Sequence, residues 1–541
     1  MGAPKGLTDE QIAKTKKNSI IDGSGYSVMF GFGEQYVTPF AIQLGATNSQ
    51  VGILATAPSF IGSLFQIVGA KLTDDWKDRK KIVAWFVLFQ ALILLPLFIV
   101  PFYTKSVLFL TIIFTLYMIF SNIMAPAWSS WIGDVIPADQ RARYFSVRNK
   151  IVISSMVFSV LFAGLILTYF TNIDIWIGFG ILFGIAFVGR IISWVYTKGQ
   201  FEPRYEVHPD SYFSFKDFIK KMPETNFGNF VIFRSLMAFA VMIASPFFAV
   251  YMLRNLGFNY LEYTLVVIAP MLVKSLTMTY WGKYSDRFGT RNIMSVSALL
   301  IGTIPLWWFL AGYFFEGKYF ILYIIIIAES ISGFAWAGFE LTTFNYILET
   351  VKPEKRPRCF AYFNVVFGIA VLLGGLLGSF LVSEIVSFWG INVLLIVFFI
   401  SFVARIIIAT ILSSRIKEVR VNKKIDGTRL FFDLVLARPL NGALHQTHMT
   451  LILAEQEIER IGEKTQTVLT TAVKPVRPHI KRAVNVIDRG LDRMEPLRKR
   501  IESEGMRRHK KETYNHLVNT EYNKELMKYY TKKKRKKLYK R

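Results

Sequence analysis

The sequence predicts an all-α membrane protein, with twelve transmembrane helices arranged as two pseudo-symmetric six-helix bundles and a C-terminal cytoplasmic helical extension. Three observations lead to this fold class. Of the 541 residues, 52% are hydrophobic and 15% are aromatic, a composition too apolar for an ordinary soluble chain. Apolar runs of about 20 residues recur, long enough to cross a hydrocarbon core of roughly 30 Å as helices. The third observation is an internal repeat.

The repeat is marked by two basic turns and by residues at a constant spacing. The turn 70–80 lies between two apolar runs, and a similar turn, 282–292, lies between two others. Further pairs of similar residues lie 215 positions apart in the sequence. They are Asp134 and Glu349, Arg141 and Arg356, Arg143 and Arg358, Asn149 and Asn364, and Arg190 and Arg405. A duplicated bundle with basic loops on one side is typical of secondary transporters.

Twelve apolar segments qualify as spans, and they divide the chain into five regions. The spans lie near residues 24–45, 50–70, 82–102, 107–132, 145–170, 175–196, 229–253, 261–281, 293–315, 319–347, 359–383 and 389–412. We predict a cytoplasmic lead-in (1–22), an N-terminal bundle (23–197), a cytoplasmic connector (198–228), a C-terminal bundle (229–412) and a basic tail (413–541). The connector contains Phe213, Phe215 and Phe218 among lysines, which indicates an interfacial amphipathic helix.

Lysine and arginine are concentrated on one side of the predicted bundle, in the loops after spans two, four, eight and ten. We call this side the basic face. Because short cytoplasmic loops carry an excess of positive charge, the basic face and both termini are predicted to be cytoplasmic.

The net charge is +26, and the tail carries much of it. Apolar residues repeat at heptad spacing over 451–472 and 480–494, which predicts a helical hairpin or an oligomeric coiled coil. The run 532–537 is entirely basic and is predicted to be disordered. The expected partners of the tail are anionic lipid headgroups and a helical partner or a second copy of the chain, and no nucleic acid is expected.

The second basic turn resembles the loop signature of the major facilitator superfamily, Gly-x-Leu-x-Asp-Arg-x-Gly-Arg-Arg. It matches at Gly282, Asp286, Arg287, Gly289 and Arg291; the first turn keeps Leu72, Asp74 and Arg79 but has Ala70 and Lys77 at the glycine positions. The loop from Asp134 to Asn149 resembles a prokaryotic branch of mostly unassigned substrate. The resemblance covers residues 20–412 and implies a carrier of a small solute in a prokaryotic inner membrane.

The resemblance also implies a gate of charged residues that closes the cytoplasmic side. The gate candidates are Asp74, Arg79, Arg141, Arg143, Asp286, Arg287, Arg291, Arg356 and Arg358. Asp74 would pair with Arg141 or Arg143, and Asp286 with Arg356 or Arg358. The alternative is that these charges only set the topology.

Charged residues inside the spans are candidates for binding solute or protons, because a charge in a membrane is costly. The charged candidates are Glu34 in span one, Lys274 in span eight, and Glu329 and Glu340 in span ten; Trp336, which shares the helical stripe of the last two, is a further candidate. Glu329 and Glu340 lie within about 20° on one helical face. Desolvation favours a protonated carboxyl group, so a proton is the expected coupling ion, with another ion as the alternative. The competing interpretation is a fixed ion pair, such as Lys274 with Glu329.

Arg190 and Arg405 lie near the cytoplasmic ends of spans six and twelve and are interpreted as snorkelling to headgroups. Neither a catalytic motif nor a set of metal ligands was found in the sequence, so no enzymatic activity, metal or cofactor is expected. Two alternatives to active transport remain: a membrane-anchored scaffold that acts through its tail, and an uncoupled facilitator.

Overall fold

The computed structural model describes residues 7–136, 138–203, 214–351, 355–384 and 391–419. They lie in one compact unit, Met1–Lys424. The predicted heptads and the basic run of the tail lie outside the described residues, as do connector residues 204–213. The side chains of Arg141, Arg143 and Arg287 are also outside the part of the protein that the structure describes.

The described residues are almost entirely helical. In the N-terminal half the helices are α1 (Asp9–Phe32), α2 (Val37–Gln43), α3 (Asn48–Trp76), α4 (Arg79–Leu92), α5 (Leu94–Tyr103), α6 (Val107–Val135), α7 (Ala138–Phe170) and α8 (Ile175–Lys198). In the connector and the C-terminal half they are α9 (Phe215–Lys221), α10 (Asn226–Val250), α11 (Tyr260–Phe288), α12 (Thr290–Phe314), α13 (Lys318–Thr350), α14 (Arg356–Glu384) and α15 (Val393–Ile411).

Helix starts follow capping chemistry. Thr47 accepts a hydrogen bond from the Gln50 amide, and the Gln50 side chain accepts one from the Thr47 amide, which starts α3. Asn259 and Glu262 form the same reciprocal arrangement at the start of α11. These side chains satisfy amides that the first turn of a helix leaves unpaired.

Over the described residues, eleven helical segments are long and apolar enough to cross a membrane. They correspond to predicted spans two to twelve, with α4 and α5 together forming span three. The first predicted span is a broken helix. It begins at Asp9, inside the predicted lead-in, so the boundary predicted after residue 22 falls within α1. The chain leaves the helix at Gly33 (φ −102°, ψ −83°) and resumes it at Val37.

The two halves pack through α3 against α14 and through α7 against α11, which are spans two with eleven and five with eight. Glycines permit this close approach. A Cβ added to Gly375 would lie 2.3 Å from Cγ2 of Thr56, and one added to Gly164 would lie 2.1 Å from Oγ1 of Thr264. Small residues at helix contacts are the usual means of bringing membrane helices together.

The connector contains the predicted amphipathic helix, α9. Its Phe218 is buried and packs against Tyr362 of α14, with ring centroids 5.6 Å apart, and against Phe227 of α10. The apolar face of α9 therefore packs on the C-terminal half of the protein. The sequence instead predicts that this face contacts the membrane interface. Elsewhere, many large apolar side chains are exposed, among them Leu108, Phe158 and Phe380, as lipid-facing helices require.

Candidate functional site

Glu34 lies where span one breaks. It is the first residue of the short 3-10 turn Glu34–Tyr36, which the break at Gly33 produces. Its half-buried carboxylate accepts a hydrogen bond of 2.7 Å from the hydroxyl of Tyr117, on α6. Spans one and four thus meet at an intramembrane carboxylate, and the hydrogen-bond partner of Glu34 is a tyrosine.

A second carboxylate and an arginine lie near Glu34. Nη1 of Arg190 donates to Ser193 at 2.9 Å, and the Ser193 hydroxyl donates to Asp22 at 2.6 Å. The guanidinium lies over the ring of Tyr26, 5.3 Å from its centroid, and it attracts both Asp22 and Glu34. We call Asp22, Glu34 and Arg190 the N-half cluster. With all three groups ionised, two negative charges oppose one positive charge.

The interpretation of Arg190 and Arg405 as snorkelling residues is wrong. Both are only 3% exposed. Arg405 donates to the carbonyls of Ile301 and Val241 at 3.2 Å each and to the Ser401 hydroxyl at 3.0 Å. Since internal acceptors satisfy the guanidinium, it does not need to reach the headgroups.

Glu329 belongs to the surroundings of Arg405. Its carboxylate accepts a 2.9 Å hydrogen bond from the indole of Trp308, on α12, and is attracted by Arg405, on α15. This balanced group braces spans nine, ten and twelve.

Lys274 pairs with Glu340 and not with Glu329. The Nζ to Oε2 distance is 2.5 Å, and the two side chains are 35% and 44% exposed. The alternative pairing of Lys274 with Glu329 is therefore wrong. The two span-ten carboxylates share a helix, but their partners belong to different neighbouring helices. The exposure of the Lys274–Glu340 pair indicates that it faces open space.

Arg234 is a functional candidate that the sequence reasoning missed. It lies in α10, span seven, with its guanidinium carbon 5.9 Å from the Trp336 ring centroid, 4.9 Å from that of Phe339 and 4.7 Å from that of Phe367. It is also attracted by Glu340. We call Arg234, Lys274, Glu340 and the three rings the C-half cluster. A lone arginine inside the apolar run 229–253 was the signal that could have identified it, and Asp22 was missed because the span boundary was drawn just after it.

At the basic face, Arg79 and Arg291 bond within their own halves. Arg79 is fully buried and lies 2.5 Å from Asp134 and 2.8 Å from Glu202. The guanidinium of Arg291 donates to the carbonyl of Ser413 at 3.2 and 3.3 Å. Both gate candidates thus hold the segment that follows the last span of their half.

The other gate candidates lie at the basic face. Arg356 donates to the carbonyls of Leu348 and Val351 at the end of span ten. Asp74, Asp286 and Arg358 lie near the corresponding ends of α3, α11 and α14. The pairing of Asp286 with Arg358 stays a prediction, as do pairings with Arg141 and Arg143 and any role of Arg287, whose side chains lie outside the described residues. In the described ranges, no group of three His, Cys, Asp or Glu side chains is arranged to hold a metal.

Comparison with known proteins places this architecture in a family. A model described as Major Facilitator Superfamily matches residues 24–221 and 230–469. Multidrug resistance protein 3 of Bacillus subtilis (strain 168) is 28% identical over 128 residues, which are 24% of this chain and 23% of that protein. This match therefore spans less than a quarter of the relative's length.

Two solved structures show the same fold. A variant of the nucleoside transporter NupG has a TM-score of 0.59 and 12% identity, covering 74% of this chain and 100% of that one. A D-xylose-proton symporter has a TM-score of 0.55 and 13% identity, covering 76% of this chain and 98% of that one. At such identities the likeness shows the fold alone. The family model, however, matches most of the sequence, and the chain belongs to the Major Facilitator Superfamily.

Proposed function

We propose that the chain is a secondary active transporter, driven by protons, that moves a small solute across the cytoplasmic membrane of a prokaryote by alternating access. Both termini would be cytoplasmic. The observation that carries the proposal is the N-half cluster, which holds two carboxylates against one guanidinium inside the membrane-spanning bundle. The likeness to the fold of the D-xylose-proton symporter agrees with a transport function. It does not identify the solute or the coupling ion of this chain.

Contacts between the halves support alternating access. At the ends of the spans away from the basic face, Ser49 and Ser379 donate to each other's carbonyl at 3.2 and 3.3 Å. At the same side the hydroxyls of Tyr36 and Thr264 are 2.6 Å apart. Closer to the basic face, the Lys274–Glu340 pair is exposed. A bundle sealed at one side with an accessible interior is the kind of end state that rocking halves require.

Charge balance supports proton coupling at Glu34. An ionised carboxylate inside a bundle is expensive unless a cation and hydrogen bonds compensate it. Arg190 alone cannot compensate both Asp22 and Glu34. The buried Arg148 also lies beside Gly23, but it bonds Ser19 and lies over Trp128, so binding one proton at Glu34 would lower the energy of the cluster. The Tyr117 hydroxyl can bond Glu34 in either protonation state. Since Glu34 lies at a helix break, rocking of the halves would change its access to water.

The span-ten carboxylates are weaker coupling candidates because each has a cation of its own. Arg405 attracts Glu329, and Lys274 pairs with Glu340. An uncoupled facilitator is the remaining alternative, and another coupling ion would replace only the proton. A scaffold that acts through its tail is not favoured, because the family match covers both bundles.

The test uses purified full-length protein in liposomes that contain a pH-sensitive dye. Pooled metabolites and drugs are added under a pH gradient. We expect wild type to give a substrate-dependent pH change, and Glu34→Gln to lose gradient-driven accumulation while keeping exchange, because glutamine is neutral in every state. The matched control is Glu329→Gln, which should keep its coupling.

Two outcomes would contradict the proposal. Unchanged accumulation in Glu34→Gln would exclude Glu34 as the coupling group. Flux without any pH change in wild type would identify an uncoupled facilitator or another ion. A chain deleted over 425–541 should keep most of its flux, and loss of the biological phenotype alone would favour the scaffold.

A further inference from the structure

Arg234 is a charged group to which the described residues offer no oxygen acceptor within hydrogen-bond distance of its buried Nε. A guanidinium carries five N–H donors and stays protonated in proteins. Its Nε is buried and has no hydrogen-bond partner among the described residues. Among the described residues, the Arg234 guanidinium lies over the faces of three aromatic rings, those of Trp336, Phe339 and Phe367. Arg405, a buried arginine of the same half, instead has three oxygen acceptors.

The one nearby carboxylate is already engaged. Glu340 attracts Arg234 through space, but its Oε2 lies 2.5 Å from Nζ of Lys274. Two cations and one carboxylate leave one positive charge in the C-half cluster. Arg234 and Trp336 are half-buried, so both side chains are partly accessible.

We propose that the C-half cluster binds the transported solute and that this solute is an organic anion with an apolar or aromatic body. This inference rests on the proposed transport function. The Arg234 guanidinium is a fork that matches two oxygens of a carboxylate, phosphate or sulfonate group. The rings of Trp336, Phe339 and Phe367 offer the apolar lining that small-molecule sites use to hold the rest of a ligand. Lys274 holds Glu340 and so limits its competition for Arg234.

The geometry also excludes other solutes. A cationic solute would have to approach Arg234 without a free carboxylate to bind it. A neutral solute would leave the guanidinium with its donors unmatched, which costs affinity when the site is desolvated. A small inorganic anion would satisfy Arg234 but would offer no apolar surface to the three rings.

The test measures equilibrium binding to the full-length protein in detergent, which requires neither flux nor a proton gradient. The probes share one ring and differ in the head group: benzoate, phenyl phosphate and benzenesulfonate as anions, benzamide as the neutral control and benzylamine as the cation. Inorganic phosphate tests the need for a ring. Binding is read from ligand-induced thermal stabilisation and from tryptophan fluorescence, because Trp336 lines the site.

We expect the aromatic anions to bind, and the neutral, cationic and inorganic probes to bind at least tenfold more weakly. Arg234→Gln should weaken anion binding by about tenfold to a hundredfold, the loss typical of a hydrogen bond to a charged group. Arg234→Lys keeps the charge without the fork and should fall in between. Arg405→Lys, which changes a buried arginine of the same half outside the C-half cluster, should leave binding unchanged.

Equal binding of benzamide or benzylamine by the wild type would overturn the inference, whatever the variants do. So would anion binding that survives Arg234→Gln. Anion binding without flux in liposomes would keep this site and contradict the proposed transport, whereas coupled flux of a neutral or cationic solute would keep the transport and contradict the anion site.

Discussion

Arg190 and Arg405 occupy the same position in the two repeats but have different surroundings. Both guanidinium groups are buried. Arg405 is satisfied by two carbonyls, a hydroxyl and the charge of Glu329, whereas Nε of Arg190 has no hydrogen-bond partner among the described residues. The duplication therefore preserved a buried cation in each half, and the two halves evolved different balances around it. We interpret Arg405 as a residue that stabilises the packing of the C-terminal half, and Arg190 as part of the coupling site.

If Arg405 stabilises the bundle by balancing the charge of Glu329, its removal should lower the thermal stability of the protein. Arg405→Met removes the cation and leaves the Glu329 carboxylate inside the bundle with the Trp308 indole as its donor. Arg405 attracts Glu329 through space and forms no direct ion pair with it among the described residues, so the cost should lie below the about 3–5 kcal/mol of a broken buried pair. Thermal unfolding in detergent should still shift to a lower temperature. Adding Glu329→Gln removes the uncompensated charge and should restore most of the loss. A double variant no more stable than Arg405→Met would contradict this coupling.

At the scale of the element, the segments that follow spans six and twelve are docked in the same way. We call them straps: residues 199–203 and 415–419. The Trp131 indole donates to the carbonyl of Phe201 at 2.9 Å, and the Tyr346 hydroxyl donates to that of Lys417 at 2.8 Å. Trp131 and Tyr346 are repeat mates, 215 residues apart. Both repeats therefore keep the hydrogen bond to the strap, although the donor is tryptophan in one half and tyrosine in the other.

Each strap also caps a helix. Glu202 accepts hydrogen bonds from the amides of Arg79 and Lys80 at the start of α4. Glu418 accepts one of 3.0 Å from the amide of Arg291 at the start of α12. A helix start exposes unpaired amides and the positive end of the helix dipole, so a carboxylate stabilises it. The second strap, at the start of the predicted tail, is therefore tethered to span nine.

Glu418→Gln should loosen this tether. Loss of the charge at the helix start weakens the cap by about 0.5–1 kcal/mol. Hydrogen exchange of the amides around Arg291 should therefore become about two- to fivefold faster. Glu384→Gln is the control, since Glu384 is exposed at the far end of α14. Unchanged exchange in Glu418→Gln would mean that the hydrogen bonds of Tyr346 and Asn226 to Lys417 hold the strap without the Glu418 charge.

At the scale of the whole molecule, the seal away from the basic face is built from small residues. The reciprocal bonds of Ser49 and Ser379 lie beside Gly52, where an added Cβ would meet the Ser379 hydroxyl oxygen at 2.0 Å. Close contacts of this kind form only when the helices of the two halves come together, and alternating access requires that they separate.

A reversible cross-link tests that separation. Ser49→Cys and Ser379→Cys are combined with Cys359→Ser, which removes the single native cysteine. Oxidation should join the halves and abolish flux, because the seal can no longer open, and a reductant should restore the flux. Each single cysteine variant serves as the control. Full flux in the cross-linked protein would show that this contact does not open during transport.

The sequence by itself determined the spans, the duplication and the position of most membrane charges. Backbone groups in lipid must bond within their own segment, so apolar length alone predicts helices. The exception was span one, where Gly33 breaks the helix at Glu34 and polar residues extend α1 back to Asp9. Local composition could locate Glu34, Lys274, Glu329 and Glu340, because a charge in an apolar run is conspicuous.

Only the tertiary structure decided which charges meet. It joined Lys274 to Glu340, turned Arg190 and Arg405 inward, and put Arg234 among rings from two other helices. The partners of these groups come from separate helices, and their pairing depends on which helix faces pack together. Helical periodicity places a residue on a face of its own helix, but the neighbour of that face is set by the packing of the whole bundle.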